Sequence, residues 1–165
     1  MQDDKLINIL ENIAVLLEIK GESAFKSRAY QNAADIIKVE QLNTKKLAEE
    51  GKLSEINGFG KALVEKISDY YQNGKMAYYE KLINEIPLSL IDLTKIEGIG
   101  NKKAGRLYAE LGIANIDELE TAAKQGKIAE MKGFSQTAQE NIINGIKDYH
   151  NTQKKIADKS FKNIF

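Results

Sequence analysis

Two stretches, "NGFGKALVEKI" (57–67) and "EGIGNKKAGRL" (97–107), place one apolar residue between two glycines and continue at once into a helix-forming run. The chemistry this arrangement offers is anion binding. A chain that reverses within a few residues needs backbone angles that glycine reaches cheaply, and glycine leaves no side chain where another molecule must come close. Gly58 and Gly60, like Gly98 and Gly100, would expose main-chain N–H groups at a helix start, where partial positive charge favours a phosphate. Lys61, and Lys102 with Lys103, put cations where a helix by itself disfavours them. Phe59 and Ile99 should point inward as anchors. A third stretch, "KGFSQTAQENI" (132–142), has Ser135 for the second glycine and no lysine close behind, so it reads mainly as packing. For any single copy the competing reading is a helical hairpin whose glycines only permit close packing. Turns at Gly58, Gly98 and Gly133, 40 and 35 residues apart, point instead to a repeat.

Other chemistry is narrowed by what the chain lacks. There is no cysteine and one histidine, His150, which removes thiolate zinc sites, cysteine nucleophiles, histidine triads and histidine metal clusters. Catalysis would rest on Lys, Tyr, Asp or Glu. The adjacent acids Asp3 and Asp4 precede the first helix and make a poor metal site. No apolar run approaches the ~20 residues of a membrane span, and the opening "MQDDK" is acidic where a secretory signal is basic. A cytoplasmic protein with no membrane contact is expected. Net charge is zero, yet residues 95–106 hold four basic groups against Glu97, and residues 127–165 hold seven lysines against four acids. Local basic patches on a neutral chain follow.

The elements that must position these groups are helices. At 165 residues and 42% hydrophobic content the chain can bury a core as one domain or two small ones. Apolar spacing is helical nearly throughout. Leu6, Leu10, Ile13, Ala14 and Leu17 mark a first helix ending near Gly21, and Phe25, Ala29, Tyr30, Ala33 and Ile37 a second. Asn43 caps a short third helix. Helices are then expected over about 61–71 and 78–86, from Pro87, over 101–111, after Asn115 with Glu118 in a capping-box-like pair, and over 136–149 and 153–163. No strand pattern appears, so the class is all-α.

At this point the chain resembles the amino-terminal part of family X DNA polymerases, of the bacterial type. The resemblance is carried by "GESAFKSRAYQNAADII" (21–37), "LAEEGKLSEINGFGKALVEKI" (47–67), "NGKMAYYEKL" (73–82) and "LTKIEGIGNKKAGRLYAELGIANIDEL" (93–119), in matching order over about residues 5–147. It implies two helix-hairpin-helix domains in tandem: an 8 kDa-type domain over 1–86 and a DNA-binding subdomain over 87–165, with a degenerate third hairpin. The family's palm, which holds Mg²⁺ for nucleotidyl transfer, has no counterpart here, so no polymerase activity is expected of this chain alone, whether as fragment or stand-alone protein.

The resemblance implies binding to gapped or nicked DNA, by a monomer, through amides of Gly58, Gly60 and Lys61 and of Gly98, Gly100, Asn101 and Lys102, without base reading. It implies a monovalent cation, K⁺ or Na⁺, on the carbonyls of Thr94, Ile96 and Ile99, and less securely of Ser54, Ile56 and Phe59. It also implies a 5′-deoxyribose-phosphate lyase for base-excision repair, needing no cofactor: Lys66 as Schiff-base nucleophile, Lys26 on the 5′-phosphate and Tyr30 lining the pocket. Periodicity puts Lys66 at the edge of the stripe Leu63, Ile67, Tyr70. The plainer readings are a lysine snorkelling from the core rim, a core tyrosine and a solvated lysine. Where polymerase beta has further basic residues this chain has Ala62 and Tyr78. A non-catalytic DNA-binding module and a protein-interaction module are the alternatives.

Overall fold

The computed structural model describes residues 4–164, so Asp3 of the acid pair lies outside the described residues. These form α-helices and one short 3₁₀ turn, with no strand among them. The chain divides into two compact units, Met1–Leu88 and Ser89–Phe165.

In the first unit, α1 (Asp4–Lys20) and α2 (Ala24–Glu40) pack along each other. α1 buries Leu6, Leu10, Ile13, Leu16 and Leu17, each contributing about 1.5–3 kcal/mol by removal from water. α2 starts on Ser23, whose side chain accepts the Lys26 N–H, and ends at Gln41 in the left-handed region (φ 51°). Its buried face is Ser27, Tyr30, Ala33, Ala34 and Ile37. Phe25 and Ala29, expected on that face, are exposed, Phe25 by 86%. The register is set by Ser27, a polar residue that an apolar pattern passes over. Its hydroxyl donates to the Ala14 carbonyl at 2.8 Å and lies 3.2 Å from a Glu18 carboxylate oxygen, which makes its burial affordable. α3 (Thr44–Glu49) is capped by Asn43 as expected. The 3₁₀ turn Leu53–Glu55 leads to α4 (Lys61–Asn73) and α5 (Ala77–Glu85). Asp69 joins the last two, accepting from the Ala77 N–H at 2.8 Å and from the Asn73 amide.

The second unit holds α6 (Leu90–Leu93), α7 (Asn101–Leu111), α8 (Ile116–Lys124) and α9 (Gln136–Ile164). Two expectations are corrected. The helix expected from Pro87 begins at Leu90, because Ile86, ahead of the proline, is extended (φ −141°, ψ 128°) and a turn intervenes. The two helices expected over 136–149 and 153–163 are one unbroken α9, since "HNT" (150–152) contains neither proline nor glycine to stop it. Asn115 accepts from the Glu118 N–H at 2.8 Å, while Glu118 reaches back to the Ala114 N–H at 2.9 Å, one residue before the box position.

Candidate nucleic-acid interface

The three glycine turns have the same backbone construction. Phe59, Ile99 and Phe134 each donate their N–H to the carbonyl three residues earlier, on Ile56, Ile96 and Met131, at 3.1, 3.0 and 3.1 Å. The third residue of each turn is Gly58 (φ 96°), Gly98 (φ 91°) or Gly133 (φ 85°), the angle a type II turn demands there. Leu53, Leu93 and Ile128 precede these turns as buried residues, and Phe59, Ile99 and Phe134 are buried anchors, as expected for the first two. Two residues past each anchor a helix begins, at Lys61, Asn101 and Gln136.

The copies differ at the cap. Gly60 and Gly100 cap α4 and α7 with no side-chain bond, and the first ladder bonds are Val64 N–H to Gly60 C=O and Ala104 N–H to Gly100 C=O, both 3.0 Å. A helix leaves the amides ahead of its first ladder bond without an intrahelical acceptor. In the third copy the Ser135 hydroxyl accepts the Ala138 N–H at 3.0 Å, so the acceptor is built in. The second glycines also differ from the first. Gly60 (φ −74°) and Gly100 (φ −88°) have angles any residue adopts, and a Cβ on either would meet nothing within 4 Å. Neither conformation nor packing inside the fold requires glycine there.

Lys61, Lys102 and Lys103 are exposed behind these caps. The Lys103 ammonium donates to the Gly98 carbonyl at 3.3 Å and lies 5.5 Å from the Phe134 ring centroid, with the Arg106 guanidinium 5.4 Å from the same ring. The third hairpin therefore supports the basic side of the second. Gly145 of α9 makes the close approach, since a Cβ there would stand 3.0 Å from Ile96 Cγ2. Of the carbonyls Thr94, Ile96 and Ile99, that of Ile96 already accepts the Ile99 N–H and keeps one lone pair.

Lys66, Tyr30 and Lys26 come together around Tyr78. The Tyr30 and Tyr78 rings stack with centroids 5.8 Å apart and planes 6° from parallel. Half-buried Lys66 sets its ammonium 4.6 Å from the Tyr78 centroid and 6.0 Å from that of Tyr30, in cation–π range. Burial, and then the charge and hydrogen bond of Tyr78, push the Tyr30 hydroxyl well above its ordinary range, so it stays protonated. Tyr78 also lines a cleft of about 200 Å³ with Lys20, Lys26 and Lys81. Lys20 is held by Glu85 at 2.9 Å, which raises its pKa and lowers that of Glu85. Sequence reasoning named Tyr78 as a departure in this pocket but missed Lys20 and Lys81; the run "KMAYYEKL" carried the only signal for Lys81, two aromatics flanked by lysines.

His150 stands with Asp117 and Glu120, ligand atoms all within 4.8 Å of one another. Glu120 is engaged by Lys124 at 2.7 Å and His150 at 3.2 Å, both holding its carboxyl low, and the group pins α9 to α8. Among the described residues no helix is long and apolar enough to cross a membrane.

Residues 1–76 match the helix-hairpin-helix domain family, and residues 90–148 match the SAM-like helix-hairpin-helix tandem family. The DNA polymerase/3′-5′ exonuclease PolX of Bacillus subtilis (strain 168) is 33% identical over 146 residues, 88% of this chain, and the chain spans 25% of that protein's length.

Proposed function

The chain belongs to the helix-hairpin-helix DNA-binding proteins, as two such domains in tandem like those of the amino-terminal region of family X DNA polymerases, and from that premise we propose that it grips DNA through backbone phosphates irrespective of sequence. The observation that carries this reading is the pair of second glycines. Gly60 and Gly100 are free of internal need, yet they stand where a phosphate would approach uncapped helix amides. Lys61, Lys102 and Lys103 add long-range attraction, and Asn101 stands with them at the start of α7. The carbonyls of Thr94, Ile96 and Ile99, and in the first hairpin of Ser54, Ile56 and Phe59, supply neutral oxygen donors. Such donors suit a singly charged K⁺ or Na⁺, which would bridge the loop to a phosphate oxygen.

The favoured substrate is gapped or nicked DNA carrying a 5′-phosphate, in base-excision repair, with Lys26 beside that phosphate. On a 5′-deoxyribose phosphate, the Lys66 amine would attack C1′ of the ring-opened sugar and form a Schiff base with loss of water. Loss of a C2′ proton would then break the C3′–O bond and release the strand with its own 5′-phosphate. The Tyr78 and Tyr30 faces would hold Lys66 and support the sugar. Borohydride should trap a covalent protein–DNA adduct that Lys66→Ala abolishes; an adduct that survives the substitution excludes Lys66 as principal nucleophile. A non-catalytic binding module has one observation in its favour, the aromatic ring of Tyr78 where polymerase beta has a basic residue. That reading predicts no adduct but the same salt-sensitive binding. A protein-interaction module would show neither a gap preference nor a steep salt slope.

A further inference from the structure

We propose that the projecting end of α9 carries a further contact surface for duplex phosphates, a lysine face formed by Lys154, Lys155, Lys159 and Lys162; the proposal rests on the DNA-binding reading above. Within the second unit α9 is anchored by Gln139, Ile142 and Ile146, all buried, by the Gly145 approach to the Ile96–Glu97 turn, and last by His150 on Glu120. Residues 151–163 are exposed on every side. A helix of that length, exposed throughout, is marginal by itself, so it persists as an extension of the anchored turns.

Its charges are distributed unevenly. Four lysines oppose a single acid, Asp158, over 151–163. Among the described residues no carboxylate, Asp158 included, lies within ion-pair distance of these four lysines. Lys155, Lys159 and Lys162 recur at i, i+4 and i+7, on one face that Asp158 at i+3 shares and that Lys154 flanks. Ile156 instead continues the Ile142 and Ile146 stripe and is 54% exposed once the helix leaves the unit. The lysine face therefore points away from the core stripe.

Reach and chemistry both select DNA as the occupant. Lys154 to Lys162 lie about 14–26 Å along the helix from Gly145, which abuts the second hairpin, and the row is about 12 Å long. That is the axial rise of three to four base pairs at about 3.4 Å each. Lysines are point charges on flexible stems, suited to phosphates and not to base edges. A duplex seated on the second hairpin would meet this row beyond the hairpin's own footprint.

The test replaces Lys154, Lys155, Lys159 and Lys162 together by glutamine in the full chain, since glutamine preserves helix propensity, with helicity checked by circular dichroism. Binding to a labelled 30-base-pair duplex is titrated across salt. The slope of log K against log salt should shrink by about 2–4, close to one unit per lost phosphate contact, so that the wild-type advantage grows about 16- to 256-fold as salt falls fourfold. A steep wild-type slope that is unchanged in the variant overturns the α9 proposal and leaves the hairpin reading standing. A wild-type chain with no salt-dependent DNA binding overturns both. Binding to anionic phosphatidylserine vesicles that the variant loses, with its DNA slope unchanged, would give the lysines to a lipid surface and also overturn the proposal.

Discussion

At Gly58 and Gly98 the positive φ angles, 96° and 91°, make any side chain costly, and at Gly58 a Cβ would also stand 3.0 Å from Ile36 Cδ1. Gly58→Ala and Gly98→Ala should each lower stability by about 1–2 kcal/mol in chemical denaturation. Gly60→Ala and Gly100→Ala should leave stability unchanged or raise it by about 0.4–1 kcal/mol, through a less flexible unfolded chain. If a phosphate uses the space beside them, the same two substitutions weaken DNA binding, read by fluorescence anisotropy on gapped duplex. Unweakened binding by both would remove the main support for the hairpin reading. Tyr30 gives a second residue-scale outcome. Its hydroxyl is raised above the ordinary value of 10.0 by burial first, then by Tyr78. Its contribution to stability is therefore complete below pH 10 and is lost as pH rises toward the native value. Tyr30→Phe should flatten the fall in denaturation midpoint above pH 10; an equal fall in both proteins would contradict the assigned burial.

Helix starts differ in their caps, and α5 and α6 begin on Met76 and Ser89 without a side-chain cap bond. Ser23, Asn43, Asn115 and Ser135 cap α2, α3, α8 and α9 with side-chain oxygens, while α4 and α7 begin on bare glycines. Ser135→Ala should therefore cost about 1 kcal/mol of stability in the second unit and leave DNA affinity unchanged. Gly100→Ser should supply a cap that competes for the same amides and reduce affinity without unfolding the unit. At the α4–α5 joint, the Ala77 amide and then Asn73 hold the Asp69 carboxyl below its usual range. That stabilisation is present above pH 3.8 and disappears as pH falls through the lower native value, so Asp69→Asn should remove it from an acid titration of stability. Asn43 and Asn115 announced their helices because a cap is a local interaction. The helix start expected at Pro87 and the break expected near 150 misled for different reasons: a proline can precede a helix by a turn, and a run without breakers continues even where it is exposed.

Across the chain, zero net charge coexists with lysines that have no carboxylate partner among the described residues, Lys61, Lys102 and Lys103 at the hairpins and four along α9, so binding is expected to depend on salt as if the protein were basic. The repeated turns were legible in the sequence because glycine spacing records backbone angle directly. The Tyr78 group was reached only through the family resemblance, since it joins α2, α4 and α5 across long stretches of chain, and no periodicity within one helix encodes such a meeting. The register of α2 was hidden for a similar reason, because Ser27 is matched by groups on α1. One consequence is mechanical. Gly145 seats a long, unbroken rod against the backbone of residues 96–97, so a sideways pull on the rod's far end is delivered as leverage to the loop of the second hairpin.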